Sequence, residues 1–301
     1  MHTKVAVIGG AGSVGASIAY ALVLQQVHAE ILIVDVAEKQ AEGQALDLCD
    51  AAYLSISRCR KASFKEAGQA DVIIITAGAK QRPGEKRSEL IDRNYNIIKS
   101  IMDSIQPISP MSKILIISNP VDVLTYIAQK VSGHPKHLVI GSGTFLDSGR
   151  LRNYLGRIVS ISPSSIHAYS LGEHGDSQFV AWSSASVAGM PLLSHPKMKG
   201  QDLEAIKRNV AKLAYDIIEA KGSTYYGVAA HVAFLAKALL QNTDQVFPVS
   251  HYSEKFGCYF SWPAVIGANG VQQSVDLSLN DDEREHLHKA IDSITSLTNR
   301  Y

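Results

Sequence analysis

Val5-Ala6-Val7-Ile8-Gly9-Gly10-Ala11-Gly12-Ser13-Val14-Gly15 is the stretch that decides the fold. A short apolar run passes straight into glycines, then into the helix-length segment Ala16 to Gln26, then into a second apolar run that ends in Asp35. A Gly-x-Gly-x-x-Gly pattern alone is weak. Here Gly10, Gly12 and Gly15 stand at a strand-to-helix junction and Asp35 follows 20 residues after Gly15, the strand, turn, helix, strand arrangement of a dinucleotide site. Gly10 is expected to permit the tight turn, Gly12 to let backbone approach a pyrophosphate, and Gly15 to let helix and strand pack closely. The helix N-terminus would then face the phosphates. Asp35 can accept hydrogen bonds from an adenosine ribose and would repel a 2′-phosphate, and Val36-Ala37-Glu38 supplies no arginine. The expected cofactor is therefore NAD rather than NADP.

Working outward, similar runs occur at Ile31 to Val34, Val72 to Ile75, Ile114 to Ile117 and Leu138 to Ile140, with helix-length segments between them. Continuous rather than alternating hydrophobicity marks strands covered on both faces, so the first half predicts a doubly wound parallel α/β sheet of the Rossmann type. After Gly143 the rhythm changes. Asp147 to Leu155 reads as a helix, and short mixed segments follow. A helix from about Gln201 to Lys221 carries its apolar stripe on Leu203, Ile206, Val210, Leu213 and Ile217, with Gly222 as terminator. A last amphipathic helix covers Asp281 to Thr298. The expected division is a cofactor domain at 1–142 and an α+β substrate domain at 143–301, sharing a large interface because no linker separates them.

The chain has 301 residues and is 46% hydrophobic, enough for a large core. With 29 Lys and Arg against 28 Asp and Glu, its formal charge of +1 gives no field for attracting nucleic acid or anionic lipid, which leaves a small molecule as the expected partner. The basic cluster Arg58, Arg60, Lys61 and Lys65 has only Phe64 among it for stacking on bases and reads as a solvated edge. Cys49, Cys59 and Cys258 lack the spacing of a metal site and read as reduced thiols of a cytoplasmic protein. Met1 to Lys4 lead into a strand rather than a signal-peptide core, and no apolar stretch is long enough to span a membrane.

Four segments carry chemistry: Gln81-Arg82-Pro83-Gly84-Glu85-Lys86-Arg87, Ser118-Asn119-Pro120-Val121-Asp122, Asp147-Ser148-Gly149-Arg150 and Gly172-Glu173-His174-Gly175-Asp176. His174, between glycines, can exchange a proton near neutral pH, although a loop histidine by itself is more often structural. Asp147 can accept from the second imidazole nitrogen and favour the imidazolium; its alternative role is a helix N-cap. Arg150 falls on the same helix face and can hold a carboxylate through a bidentate fork, or form a plain surface ion pair. Arg87 follows a polar loop able to close over a site and bring positive charge to a polarised carbonyl, or is a solvated charge on that loop. Together these groups suit an α-keto acid.

In this order, from Val5 to about Gly270, the segments resemble the L-lactate/malate dehydrogenase family. The resemblance implies hydride exchange between NAD and a small 2-oxo/2-hydroxy acid, with no metal required. It makes His174 the acid/base with Asp147 as partner and Arg150 the clamp for the substrate carboxylate. Arg87 becomes the loop arginine, and Asn119 a substrate hydrogen-bond donor. Val14, Asp35, Gly78, Ala79, Ser118 and Asn119 would line the cofactor. Fermentative or glycolytic use and a homotetramer are also implied. A dimer is the alternative, since the chain begins at its first strand without the N-terminal arm of some tetrameric relatives. Arg152 and His167 match a pair that holds fructose 1,6-bisphosphate in some bacterial members; a structural or nonspecific anion site is the other reading.

Within that family, malate enzymes place an arginine two residues before the loop proline, whereas lactate enzymes place a glutamine. This chain has Gln81 there, beside Arg82, and Thr224 agrees with the lactate pattern. An uncharged amide cannot pair with a second substrate carboxylate, so pyruvate and L-lactate are the expected pair. The alternatives are a malate or branched 2-hydroxyacid dehydrogenase, or a catalytically silent NAD-binding or structural protein on the same scaffold.

Overall fold

The N-terminal apolar run is strand β1 (Lys4–Ile8), at the interior of a sheet that has nine strands among the described residues. The computed structural model describes residues 3–79, 84 and 87–301, the Arg87 side chain excepted. Gln81, Arg82 and the side chain of Arg87 thus lie outside the described residues, although Arg87 opens a helix.

After β1 come α1 (Ser13–Leu24), β2 (Glu30–Val34), α2 (Glu38–Ala52), β3 (Arg58–Lys61), α3 (Phe64–Ala67), β4 (Val72–Ile75), α4 (Arg87–Ser104), β5 (Lys113–Ile116), α5 (Val121–Ser132) and β6 (Val139–Gly141). These strands are parallel, in the order β3-β2-β1-β4-β5-β6. The order reverses between β1 and β4, and the crevice beyond the carboxyl ends of those strands is where such sheets bind ligands.

Alternate residues of the strands enter different cores, which is why the runs are uninterrupted. Val5, Val7, Ile31, Ile33, Val72 and Ile74 pack with Ile18 and Leu22 of α1. Ala6, Ile8, Leu32, Ile73 and Ile75 pack with Ile98 of α4 and Leu124 and Ile127 of α5. Each large aliphatic side chain so buried contributes roughly 1.5–3 kcal/mol.

The remaining elements are α6 (Phe145–Val159), the short strands β7 (Ile166–His167), β8 (Ser170–Leu171), β9 (Phe179–Val180), β10 (Ser186–Val187) and β11 (Met190–Pro191), then α7 (Leu203–Lys221), α8 (Tyr226–Gln241), β12 (Gln245–Ser253), β13 (Cys258–Gly267), β14 (Gly270–Ser274) and α9 (Asp281–Thr298). The sheet continues past β6 into antiparallel β12, β13 and β14. Sequence periodicity missed α8 for a physical reason. Ala233, Ala236 and Leu239 are buried on the α1 side of the sheet, but Tyr226, Ala230 and Phe234 on the exposed face are apolar too, so the sequence shows no one-sided stripe.

The expected helix at Gln201 begins instead after Asp202, whose side chain caps Ala205 N–H, and it ends at left-handed Gly222 as its sequence implies. Only Ile206 and Val210 of its stripe are buried; Leu213 is 38% exposed. The pattern foresaw an apolar face but not that, among the described residues, its second half would stay largely uncovered.

The basic cluster Arg58, Arg60 and Lys61 forms β3, at the sheet edge, where charge discourages further strand pairing. Arg60 pairs with Glu30 and Glu66, and Lys61 with Glu38 and Glu42. Among the described residues no helix is long and apolar enough to cross a membrane.

Candidate active site

At the end of β1 the backbone turns at Gly9, the left-handed position with φ of 85°. The left-handed position of the turn is thus Gly9, which the sequence reading did not single out, while Gly10 is close-packed beside it, where a Cβ would lie 2.8 Å from Ile33 Cγ2. A Cβ at Gly9 would lie 2.5 Å from Thr76 Oγ1, and one at Gly15 would lie 2.3 Å from the Gly9 carbonyl oxygen. Gly15 thus lets α1 close onto the turn, and Gly12 is the uncapped residue at the helix N-terminus. Gly10, Gly12, Val14 and Gly15 shape this cradle. Gly9, Asp35, Gly78 and Ala79 line a groove of about 500 Å³ beside it. Asp35 accepts from Ala11 N–H at 3.1 Å and Ala37 N–H at 3.0 Å, which ties the acid to the glycine turn.

The loops after β4 and β5 are fastened together by a residue the sequence reading did not single out. Asn94 of α4, 1% exposed, accepts from Ala79 N–H at 2.7 Å and donates to the Asn119 carbonyl at 2.9 Å. An asparagine in a helix interior, where its propensity is poor, was the available signal. Ser118 is buried and donates to the Ala77 carbonyl, supporting the groove from below.

A second cavity, of about 460 Å³, gathers Asn119, Asp147, Arg150, His174 and Thr224. Asp147 lies within α6, whose N-cap is Thr144, so its carboxylate is free of capping duty. Its Oδ2 accepts from His174 Nδ1 at 2.6 Å, and its Oδ1 accepts from Arg150 Nη1 at 3.2 Å. Commitment of Nδ1 leaves Nε2 as the nitrogen able to exchange a proton. Burial disfavours the imidazolium, but the charge and hydrogen bond of Asp147, helped by Asp122, outweigh it and raise the His174 pKa from 6.5 to about 9. Burial also works against ionisation of Asp147, yet His174 and Arg150 bring its carboxyl below the usual value.

The loop carrying His174 is held from several directions. Glu173, buried, accepts from Ser177 and Ser293 hydroxyls. Asp122, on the first turn of α5, accepts from His174 N–H at 2.8 Å.

Arg152 and His167 lie on α6 and β7. Arg152 Nε donates to the Ala168 carbonyl and its guanidinium stands over the Tyr169 ring, so it is partly engaged beside His167.

Residues 3–141 match the family model for the lactate/malate dehydrogenase NAD-binding domain, and residues 144–300 match that for the lactate/malate dehydrogenase alpha/beta C-terminal domain. The L-lactate dehydrogenase A of Rhizopus oryzae is 48% identical over 297 residues, 99% of this chain and 92% of that protein. The L-lactate dehydrogenase of Lacticaseibacillus casei is 41% identical, over 96% of this chain and 91% of that protein. The crystal structure of a minor L-lactate dehydrogenase from Enterococcus mundtii, in its ligands-bound form, superposes with a TM-score of 0.94 at 34% identity, covering 99% of this chain and 98% of the other.

Proposed function

The chain belongs to the lactate/malate dehydrogenase family, and on that premise we propose that it is an NAD-dependent L-lactate dehydrogenase interconverting pyruvate and L-lactate. The observation that carries the proposal is the pairing of His174 with Asp147, at 2.6 Å, in a cavity that also holds Arg150, Asn119 and Thr224. A scaffold that had lost catalysis would have no need to keep an imidazole, its orienting acid and a guanidinium on one cavity wall.

The residues present fit a dinucleotide. The N-terminus of α1 has no side-chain cap, the glycine turn leaves no room for side chains that would obstruct approach, and Asp35 stands at the end of β2 beside the groove. When bound, the nicotinamide supplies the hydride to the carbonyl carbon or takes it back in the reverse reaction.

The protein's own groups do the rest. Arg150 orients the substrate carboxylate through its guanidinium fork, and Asn119 donates a hydrogen bond from the mouth of the loop after β5. Asp147 holds His174 in the tautomer that directs Nε2 at the substrate. Protonated Nε2 delivers its proton to the carbonyl oxygen during reduction and recovers it during oxidation. Arg87, assigned from sequence, adds positive charge at the same oxygen. Leu146, Val228 and Ile218 supply apolar wall that limits water at the reacting atoms.

Gln81 and Thr224 support pyruvate over oxaloacetate or branched 2-oxo acids. We assign the cofactor site to 1–142 and the substrate site chiefly to 143–301, with the reaction in the cytoplasm, in keeping with thiols that are free at Cys49, Cys59 and Cys258. A homotetramer is supported by Tyr20 and Leu24 of α1 and Leu46 of α2, apolar side chains exposed on the single chain; a dimer is the alternative. At Arg152 and His167 the proposal is a structural or nonspecific anion site, with regulatory binding of fructose 1,6-bisphosphate as the alternative.

Initial rates with NADH and pyruvate, oxaloacetate or 2-oxoisocaproate test the assignment. The highest kcat/KM is expected with pyruvate. NADH binding without turnover of any 2-oxo acid would identify a silent scaffold.

A further inference from the structure

Asp122 lies outside the roles assigned above, yet it is 2% exposed and close to the acid/base. Its Oδ2 accepts from His174 N–H at 2.8 Å, and its Oδ1 accepts from Ser261 Oγ at 3.1 Å. Ser261, in β13, then closes a ring through backbone. Its N–H donates to the Gly172 carbonyl at 2.7 Å, and Gly172 N–H donates to the Ser261 carbonyl at 2.9 Å. Three elements far apart in sequence, the first turn of α5, the His174 loop and β13, meet at one carboxylate.

We propose that Asp122 is a positioning residue for the reaction: its carboxylate fixes the backbone under His174 and thereby sets where the imidazole stands. This rests on the dehydrogenase reading of the site. Gly172 and Gly175 flank the loop and allow it many conformations, so a fixed imidazole needs an external anchor. A buried carboxylate costs several kcal/mol unless its partners compensate. Here burial is the larger effect and pushes the carboxyl above its ordinary value, while the His174 amide, the His174 charge and the Ser261 hydroxyl pull it down.

Charge adds a second effect. Among the described residues the charged groups acting on His174 are Asp147 and Arg150 from α6 and Asp122 from α5, and Asp176, Lys207 and Arg208 line the same cavity. Asp147 is the larger support for the imidazolium, and the charge of Asp122, which bonds the backbone rather than the ring, adds to it.

The test compares Asp122→Asn, Asp122→Ala and Ser261→Ala in the full chain, with folding checked by circular dichroism and NADH affinity. Asparagine can still accept from His174 N–H but carries no charge. Its alkaline limb for pyruvate reduction should move down by about one pH unit, and the His174 ring titration, followed by NMR without substrate, should move with it. Asp122→Ala should lower kcat by about 100-fold with little change in NADH affinity. Ser261→Ala should lower kcat by about tenfold with the limb unmoved, because only the anchor of the carboxylate is loosened.

If Asp122→Ala fails to fold, the other two variants decide. Wild-type kcat in Ser261→Ala together with a wild-type limb in Asp122→Asn would overturn the proposal. A wild-type protein that turns over no 2-oxo acid, but whose His174 titration still shifts in Asp122→Asn, would retire the dehydrogenase reading and leave the coupling standing.

Discussion

His174 and Asp147 form a charge-assisted pair, Nδ1 to Oδ2 at 2.6 Å, and Arg150 steadies the opposite carboxylate oxygen. The pair sets the pH dependence. Pyruvate reduction needs the imidazolium, so its kcat/KM should hold steady at neutral pH and fall as pH rises through about 9. Lactate oxidation needs the neutral ring and should rise over the same range. Asp147→Asn removes the main support for the imidazolium and leaves burial acting against it. The limb should then move to lower pH, with kcat reduced about 10²- to 10⁴-fold. Steady-state profiles in both directions check this, and an unmoved limb in the variant would refute the pairing as its cause.

Asp35 is tied by two backbone N–H groups to the glycine turn and to the residue after Val36. Replacing it with serine should keep a hydrogen-bonding group while removing the negative charge that opposes a 2′-phosphate. The NADPH to NADH ratio of kcat/KM should rise about 10- to 100-fold. Paired assays with the two cofactors measure it, and an unchanged ratio would mean that Asp35 does not face the ribose.

Gln81→Arg should supply a partner for a second substrate carboxylate. We expect the oxaloacetate to pyruvate ratio of kcat/KM to rise by about tenfold or more. If relative activity with oxaloacetate stays level or falls, the alignment of the loop around Pro83 is wrong.

At Gly9 a side chain meets both an unfavourable φ and the Thr76 hydroxyl. Gly9→Ala should therefore lose about 1–3 kcal/mol of stability in denaturant titrations and weaken NADH binding. Gly43 serves as the control. It sits inside α2 with nothing within 4 Å of its ideal Cβ position, so Gly43→Ala should gain about 0.5–1 kcal/mol. Equal effects at the two positions would contradict the geometry.

The cofactor turn was legible because its signal is local: glycines, one strand, one helix and an acid at fixed spacing. Even so, spacing could not say which glycine takes the left-handed conformation, and Gly9 rather than Gly10 does. His174 and Asp147 lie 27 residues apart, and only the chemistry of their segments, with the family resemblance, suggested a pair. Asp122 stood in plain view within the Asn119 segment. Its partner, however, is a backbone N–H 52 residues away, and backbone donors leave no residue-type signal. Asn94 was hidden similarly, since it serves two loops from inside a helix. Leu213 marks another limit: apolar periodicity foretells a buried face without naming what buries it.

The passage of the main sheet from parallel β6 into antiparallel β12 has a consequence for redesign. From the glycine turn at the end of β1 to the bridge between Ser261 and Gly172, the spacing is a count of strands, each step about 4.8 Å. That ruler is made of main chain, which side-chain replacement scarcely stretches. New substrates can therefore be sought by recutting the cavity wall at Leu146, Thr224 or Val228 while the glycine turn and the His174 loop keep their separation.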